Sequence, residues 1–113
     1  MPARIYRGTT SFGPPVLTID GGLVYEGLLA YGRPVLNING DRIYRGSFAA
    51  GAPLATVRGH YVYPGALGNI APVAAIEGPR VYKGNNPSGL PIATASGGGK
   101  MEAAAAAAYL LLL

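Results

Sequence analysis

The sequence predicts an all-β fold with one C-terminal helix: five β-hairpin repeats closed into a ring or barrel, with the helix as a central plug. Three observations carry this. A 19-residue unit occurs five times, glycines and prolines fall in fixed columns, and an Ala/Leu tail free of both follows the last unit. The repeated core is Arg4-Ile5-Tyr6-Arg7-Gly8, then Leu23-Val24-Tyr25-Glu26-Gly27, Arg42-Ile43-Tyr44-Arg45-Gly46, Tyr61-Val62-Tyr63-Pro64-Gly65 and Arg80-Val81-Tyr82-Lys83-Gly84. A Pro column (Pro15, Pro34, Pro53, Pro72, Pro91) and a second Gly column (Gly21, Gly40, Gly59, Gly78, Gly97) are filled in every copy. With 18 Gly and 10 Pro in 113 residues, a chain without repeats would suit disorder. Here half the residues are apolar, and the fixed columns make the glycines turn positions.

Each unit reads as two strands. The first is short, Ile5-Tyr6-Arg7 and its equivalents, and ends at Gly. The second runs from the Pro, as in Pro15-Val16-Leu17-Thr18-Ile19, because a missing N–H matters least at a strand's first residue. Val, Ile, Thr and Tyr favour a pleated, half-buried surface. Gly or Pro interrupts every window of helical length within the repeat. Second strand to next first strand is tight, through Asp20-Gly21-Gly22, Asn39-Gly40-Asp41 and Glu77-Gly78-Pro79, which are hairpin signals. First strand to second strand is looser and variable. Tight turns therefore gather at one end and variable loops at the other. Alternation places Ile5, Leu17, Ile19 and their equivalents on one apolar face. A tyrosine ladder with Thr and Val takes the other.

An up-and-down sheet leaves two edges, and pairing the first strand with the tenth removes them. The two domains expected are residues 1–99, the repeat, and residues 100–113, the tail. The tail runs from Lys100-Met101-Glu102 through Ala103–Ala108 and Tyr109 to Leu110–Leu113. Ala and Leu are strong helix formers, and a helix apolar all round has to be buried. At about 18 Å it matches the height of five-residue strands, about 17 Å. Ten strands tilted about 40° give a radius of about 10 Å, room for a narrow Ala-rich helix. Leu gives way to Ala in the later units, at Ala55, Ala74 and Ala93, which makes space for it.

Chemistry-bearing residues are sparse. There is no Cys, so no disulfide or thiolate metal site, and the formal net charge is +4. His60 is the only histidine and falls in a tight turn. Asp20 and Asp41 are turn formers first, and with Glu77 they spread around one rim, a weak arrangement for a cation. No phosphate loop or zinc spacing occurs. The expectation is a non-enzymatic protein with no cofactor and no bound metal. The N-terminal residues carry no apolar signal-peptide core, and a cytoplasmic location is the default expectation.

The unit Ile/Val-Tyr-x-Gly, Gly-x-Pro-Val, Ile-Asp/Asn-Gly resembles that of the bacterial β-flower proteins, specifically the five-fold form. The resemblance covers residues 4–98 and implies radially arranged hairpins and no catalytic residues. A weaker likeness is to MORN repeats, which share Tyr-x-Gly and imply membrane-lipid roles. The period here is shorter, Pro recurs in every unit and Trp is absent. The helix rests on the physical argument alone.

The leading functional expectation is a structural or protein-interaction module that presents variable loops at one end of the ring to a protein or peptide. Phe12, Leu28, Leu29, Tyr31, Phe48, Leu67 and Ile70 are the candidate contact residues, because apolar side chains exposed together mark partner sites. The alternative is a membrane-surface or lipid-binding protein that uses the Ala/Leu tail. A further alternative is nucleic-acid binding through the Arg/Tyr strands, weakened where Leu23, Glu26, Tyr61 and Pro64 break the basic pattern. Monomer and homo-oligomer both remain open, since the tail can plug its own ring or a neighbour's.

Overall fold

The structure, a computed structural model, describes residues 3–9, 13–27, 32–66, 71–87 and 89–112. Its strands are β1 (Ala3–Arg7), β2 (Leu17–Asp20), β3 (Leu23–Glu26), β4 (Leu36–Asn39), β5 (Arg42–Arg45), β6 (Ala55–Arg58), β7 (Tyr61–Pro64), β8 (Ala74–Glu77), β9 (Arg80–Lys83) and β10 (Ala93–Ser96). The helix α1 (Lys100–Leu111) follows. All pairings are antiparallel between sequence neighbours, and β1 closes on β10 with Arg4 to Arg7 opposite Ser96 to Ala93. The result is a closed ten-stranded barrel. The second strands begin two residues later than expected, at Leu17 rather than Pro15. The chain joins the sheet through the residue between them: the N–H of Val16 donates to the Ile5 carbonyl, and the same bond recurs in the other four units.

Register explains the tight turns. Asn39 faces Arg42, Arg58 faces Tyr61 and Glu77 faces Arg80, which leaves two-residue loops Gly40-Asp41, Gly59-His60 and Gly78-Pro79. Gly40, Gly59 and Gly78 have φ of 62, 63 and 58°. With the second residue at negative φ, this is the pattern of a type II′ turn. The first hairpin places two glycines there, Gly21 and Gly22, with φ of 60 and 79°, the pattern of type I′.

Inside the barrel, Ile5, Val24, Ile43, Val62 and Val81 are fully buried, one from each first strand. Their partners across the ladder differ: Leu17 and Leu36 in the first two units, Ala55, Ala74 and Ala93 in the last three. The helix runs nearest β7 to β10, the side lined by those alanines. Its own Ala103 to Ala108 are buried on every face. Leucines fill one half of the barrel's interior, and the helix occupies the half where they shrink.

A tight connection brings the helix in. Gly98 has φ of +72°, and a Cβ there would lie 2.9 Å from the Ala3 Cβ and 2.8 Å from Glu102 Cγ. Both the backbone angle and the space call for glycine. The carboxylate of Glu102 accepts the N–H of Gly99 at 2.7 Å, so the helix begins with half of a capping box.

On the outer face, a polar column is buried. Thr18, Asn37, Thr56 and Thr94 are all nearly inaccessible. Each donates to the carbonyl of a first-strand glycine on the adjacent strand: Thr18 to Gly27 at 2.8 Å, Asn37 to Gly46 at 3.0 Å, Thr56 to Gly65 at 2.7 Å and Thr94 to Gly8 at 2.8 Å. The same glycines donate their N–H groups back to Val16, Val35, Leu54 and Ile92. Every one of these glycines is thus held by one neighbouring strand through both its N–H and its carbonyl. The fifth, Gly84, keeps its bond to Val73, but Ala75 stands where the hydroxyl would be.

Two outcomes follow for stability. Ala75→Thr restores the missing donor beside a cleft of about 300 Å³ that Ala75 lines, and it is expected to raise the unfolding free energy by about 1 kcal/mol in urea melts. A chain ending at Gly99 loses the six buried alanines of the helix, which fill the alanine-lined half of the barrel; it is expected to lose its cooperative thermal transition or to aggregate. A truncated ring that melts like the full chain would show that the helix is not core.

Candidate interaction face at the loop end

The residue that follows each tyrosine forms the inner rim at the loop end. Glu26 lies opposite Leu17, Arg45 opposite Leu36, Pro64 opposite Ala55, Lys83 opposite Ala74 and Arg7 opposite Ala93. Residues directly across a ladder share a face, and those partners are core residues. Arg7, Arg45, Lys83 and Glu26 therefore encircle the barrel mouth with their side chains exposed.

The helix reaches the same mouth. It enters beside Ala3 and travels back along the barrel, so that the Tyr109 hydroxyl donates to Glu26 Oε2 at 2.5 Å. This bond ties the third strand to the helix. The Glu26 carboxylate, by accepting the hydroxyl and repelling a phenolate, raises the Tyr109 pKa, with partial burial adding to it; the nearby Arg7 charge pulls the other way. Helix carbonyls left without intrahelical partners concentrate negative charge at this end. The helix has no basic residue in its own last turn; the cations come from the barrel rim instead.

Beyond Tyr109, Leu110, Leu111 and Leu112 pack on the core but stay partly exposed. Phe48 and Leu90, in connections at this end, are 79% and 82% exposed. Of the apolar loop residues expected to form a contact patch, Phe48 alone is placed. Phe12, Leu28, Leu29, Tyr31, Leu67 and Ile70 lie outside the described residues.

All the charged side chains are described, and they divide unevenly. Four cations (Arg7, Arg33, Arg45, Lys83) and one acid (Glu26) belong to the loop end; five cations and four acids belong to the tight-turn end. Most of the net +4 charge sits at the mouth where the helix ends.

At the opposite end, His60 occupies an exposed turn and helps line a cleft of about 460 Å³ with Pro79, Gly97 to Gly99 and Lys100. Asp20, Asp41 and Glu77 are exposed around this rim. Among the described residues, no cluster of three or more His, Cys, Asp or Glu stands close enough to hold a metal ion. The Arg/Tyr interleaving read from the sequence is split by strand alternation. Arg4, Arg42 and Arg80 share the outer face with the tyrosines, whereas Arg7, Arg45 and Lys83 point to the inner rim at the other end.

Two features of the structure leave only weak signals in the sequence. The Thr/Asn column was legible as a recurring polar position two residues before each tight-turn acid, amide or equivalent. The Tyr109–Glu26 bond had only a faint signal: Glu26 is the lone acid in a mostly basic column, and Tyr109 the lone aromatic in the tail.

A family model described as 6-fold beta flower protein matches residues 5–110. No curated protein and no solved structure matches the chain. The expected five-fold form is thereby corrected as to family: the matched family is described as six-fold, although this chain forms five hairpins. The match also runs through most of α1, which the resemblance drawn from the repeat unit did not cover. The likeness to MORN repeats gains no support.

Because the folded-state pKa of Tyr109 is raised, its contribution to stability is complete below the unfolded value, about 10, and is lost as pH rises through the folded value. Urea melts from neutral to strongly alkaline pH are expected to show Tyr109→Phe less stable than the parent at neutral pH, with the gap closing above that value. A gap that stays constant across the alkaline range would show that the phenol–carboxylate bond does not contribute.

Proposed function

The chain belongs to the β-flower family, and on that footing we propose that it is a small non-catalytic module whose loop end is its interaction surface. One observation carries the reading: the variable connections, most of the net positive charge and the partly exposed leucines of the helix all belong to the same end. The opposite end is built from two-residue turns, where Gly sets the geometry and leaves little freedom to vary. A frame with one fixed rim and one variable rim suits a scaffold that holds a binding surface.

The tail contributes to that surface only at its tip. Ala103 to Ala108 are committed to the barrel interior, so a reading in which the whole Ala/Leu tail serves as a free anchor would require the core to be emptied. Nucleic-acid binding through Arg/Tyr strands has less behind it, since half of the basic residues face away from the tyrosines.

Site-specific photo-crosslinking tests the assignment. A crosslinker placed at Phe48 or Leu90 is expected to capture a cellular partner, whether protein or lipid, several-fold more efficiently than one placed at Arg58 or Arg80. Capture mainly through Arg58 and Arg80 would sink the loop-end reading.

A further inference from the structure

We propose that the loop end docks on an anionic bilayer surface, with Leu110 to Leu112 entering the headgroup region while α1 remains inside the barrel. This rests on the loop end being the interaction surface and names what it meets. Charge makes the first argument. Arg7, Arg33, Arg45 and Lys83 are exposed at this end, and the one acid among them, Glu26, is engaged by Tyr109. Basic residues beside a small apolar tip are the combination that holds peripheral proteins on anionic lipid, by electrostatic attraction plus shallow burial.

Length makes the second. Strands of four or five residues rise about 13–17 Å, and the hydrocarbon core is about 30 Å thick. Among the described residues, no helix is long and apolar enough to cross a membrane either. The protein thus lies on the surface. The barrel's architecture makes the third. Its leucines, packed on the core yet partly exposed, end a helix already held by the core and by the Tyr109–Glu26 bond, so the tip is presented ready-formed, without the ordering cost that a free tail would carry on binding. An acidic protein would answer the charge but gives no role to the leucine tip.

Sedimentation of the full chain with vesicles tests this. One set contains phosphatidylglycerol in phosphatidylcholine, the other phosphatidylcholine alone. Strong preference for the anionic set is expected, weakening as salt rises. Each rim cation removed is expected to lower binding about fivefold, so Arg45→Glu with Lys83→Glu should lower it by about 25-fold or more. The matched pair Arg58→Glu with Arg80→Glu, at the tight-turn end, carries the same net charge and should cost far less. Arg33→Glu, in an exposed connection, serves if the double variant does not fold. Amides of α1 should keep their exchange protection on the vesicles.

The overturning results are distinct. If neither vesicle set binds, while crosslinks from Phe48 and Leu90 capture a protein, the lipid inference falls and the loop-end surface stands. If both charge-reversed pairs lose binding equally, attraction is general to the net charge and the lipid-docking inference fails. If binding follows the tight-turn pair, both readings fail. Loss of α1 protection on vesicles would overturn the presented tip in favour of a released tail.

Discussion

The volume match between the barrel and its helix is the constraint on which the rest depends. Ten short strands enclose a space too wide for their own side chains to fill and too narrow for an ordinary amphipathic helix. A helix of six consecutive buried alanines meets that limit. The barrel wall answers with Leu17 and Leu36 on one side and Ala55, Ala74 and Ala93 on the other, and the helix lies against the alanine side. The five-fold repeat is therefore not five-fold where it touches the plug. A symmetric ring surrounds an asymmetric object, and the first-strand Ile/Val positions stay constant in character while their ladder partners absorb the difference.

Outside the barrel, symmetry is kept by hydrogen bonds instead of volume. The glycine two residues after each tyrosine gives its N–H to the neighbouring strand in all five units, and in four of them its carbonyl accepts from Thr or Asn. These clamps sit at the loop rim, where the ladder would otherwise fray. They separate the variable connections from the strands, so that loop sequence can change without moving the frame. The bond from Thr94 to Gly8 does the same work across the closure, between residues 86 apart in sequence.

Much of this was legible in the sequence because repetition multiplies every local signal. A Gly-Asp or Gly-His turn alone says little; the same glycine at a 19-residue interval fixes both ends of each hairpin, and the ends of the repeat then ask for closure. Strand alternation sorted Ile5 from Tyr6 and Leu17 from Thr18, and the structure keeps that division. What escaped was whatever depends on contact between distant units. Thr18 looked like surface because its face is the outer one, and only the pairing shows that Gly27 offers it a carbonyl. Arg4 and Arg7 looked like one basic cluster until alternation and strand direction sent them to opposite ends. Glu26 looked like a break in a pattern, and it is the one residue of its column that holds the helix.

The helix follows all ten strands along the chain, and this order has a consequence for biosynthesis. As the strands leave the ribosome, the helix that completes their interior has not been made, and β1 waits for a partner that follows the eight strands between them. An open sheet formed at that stage would carry an apolar face and two bare edges. Folding is thereby postponed until the plug has emerged, and it then engages the whole ring in a single cooperative step.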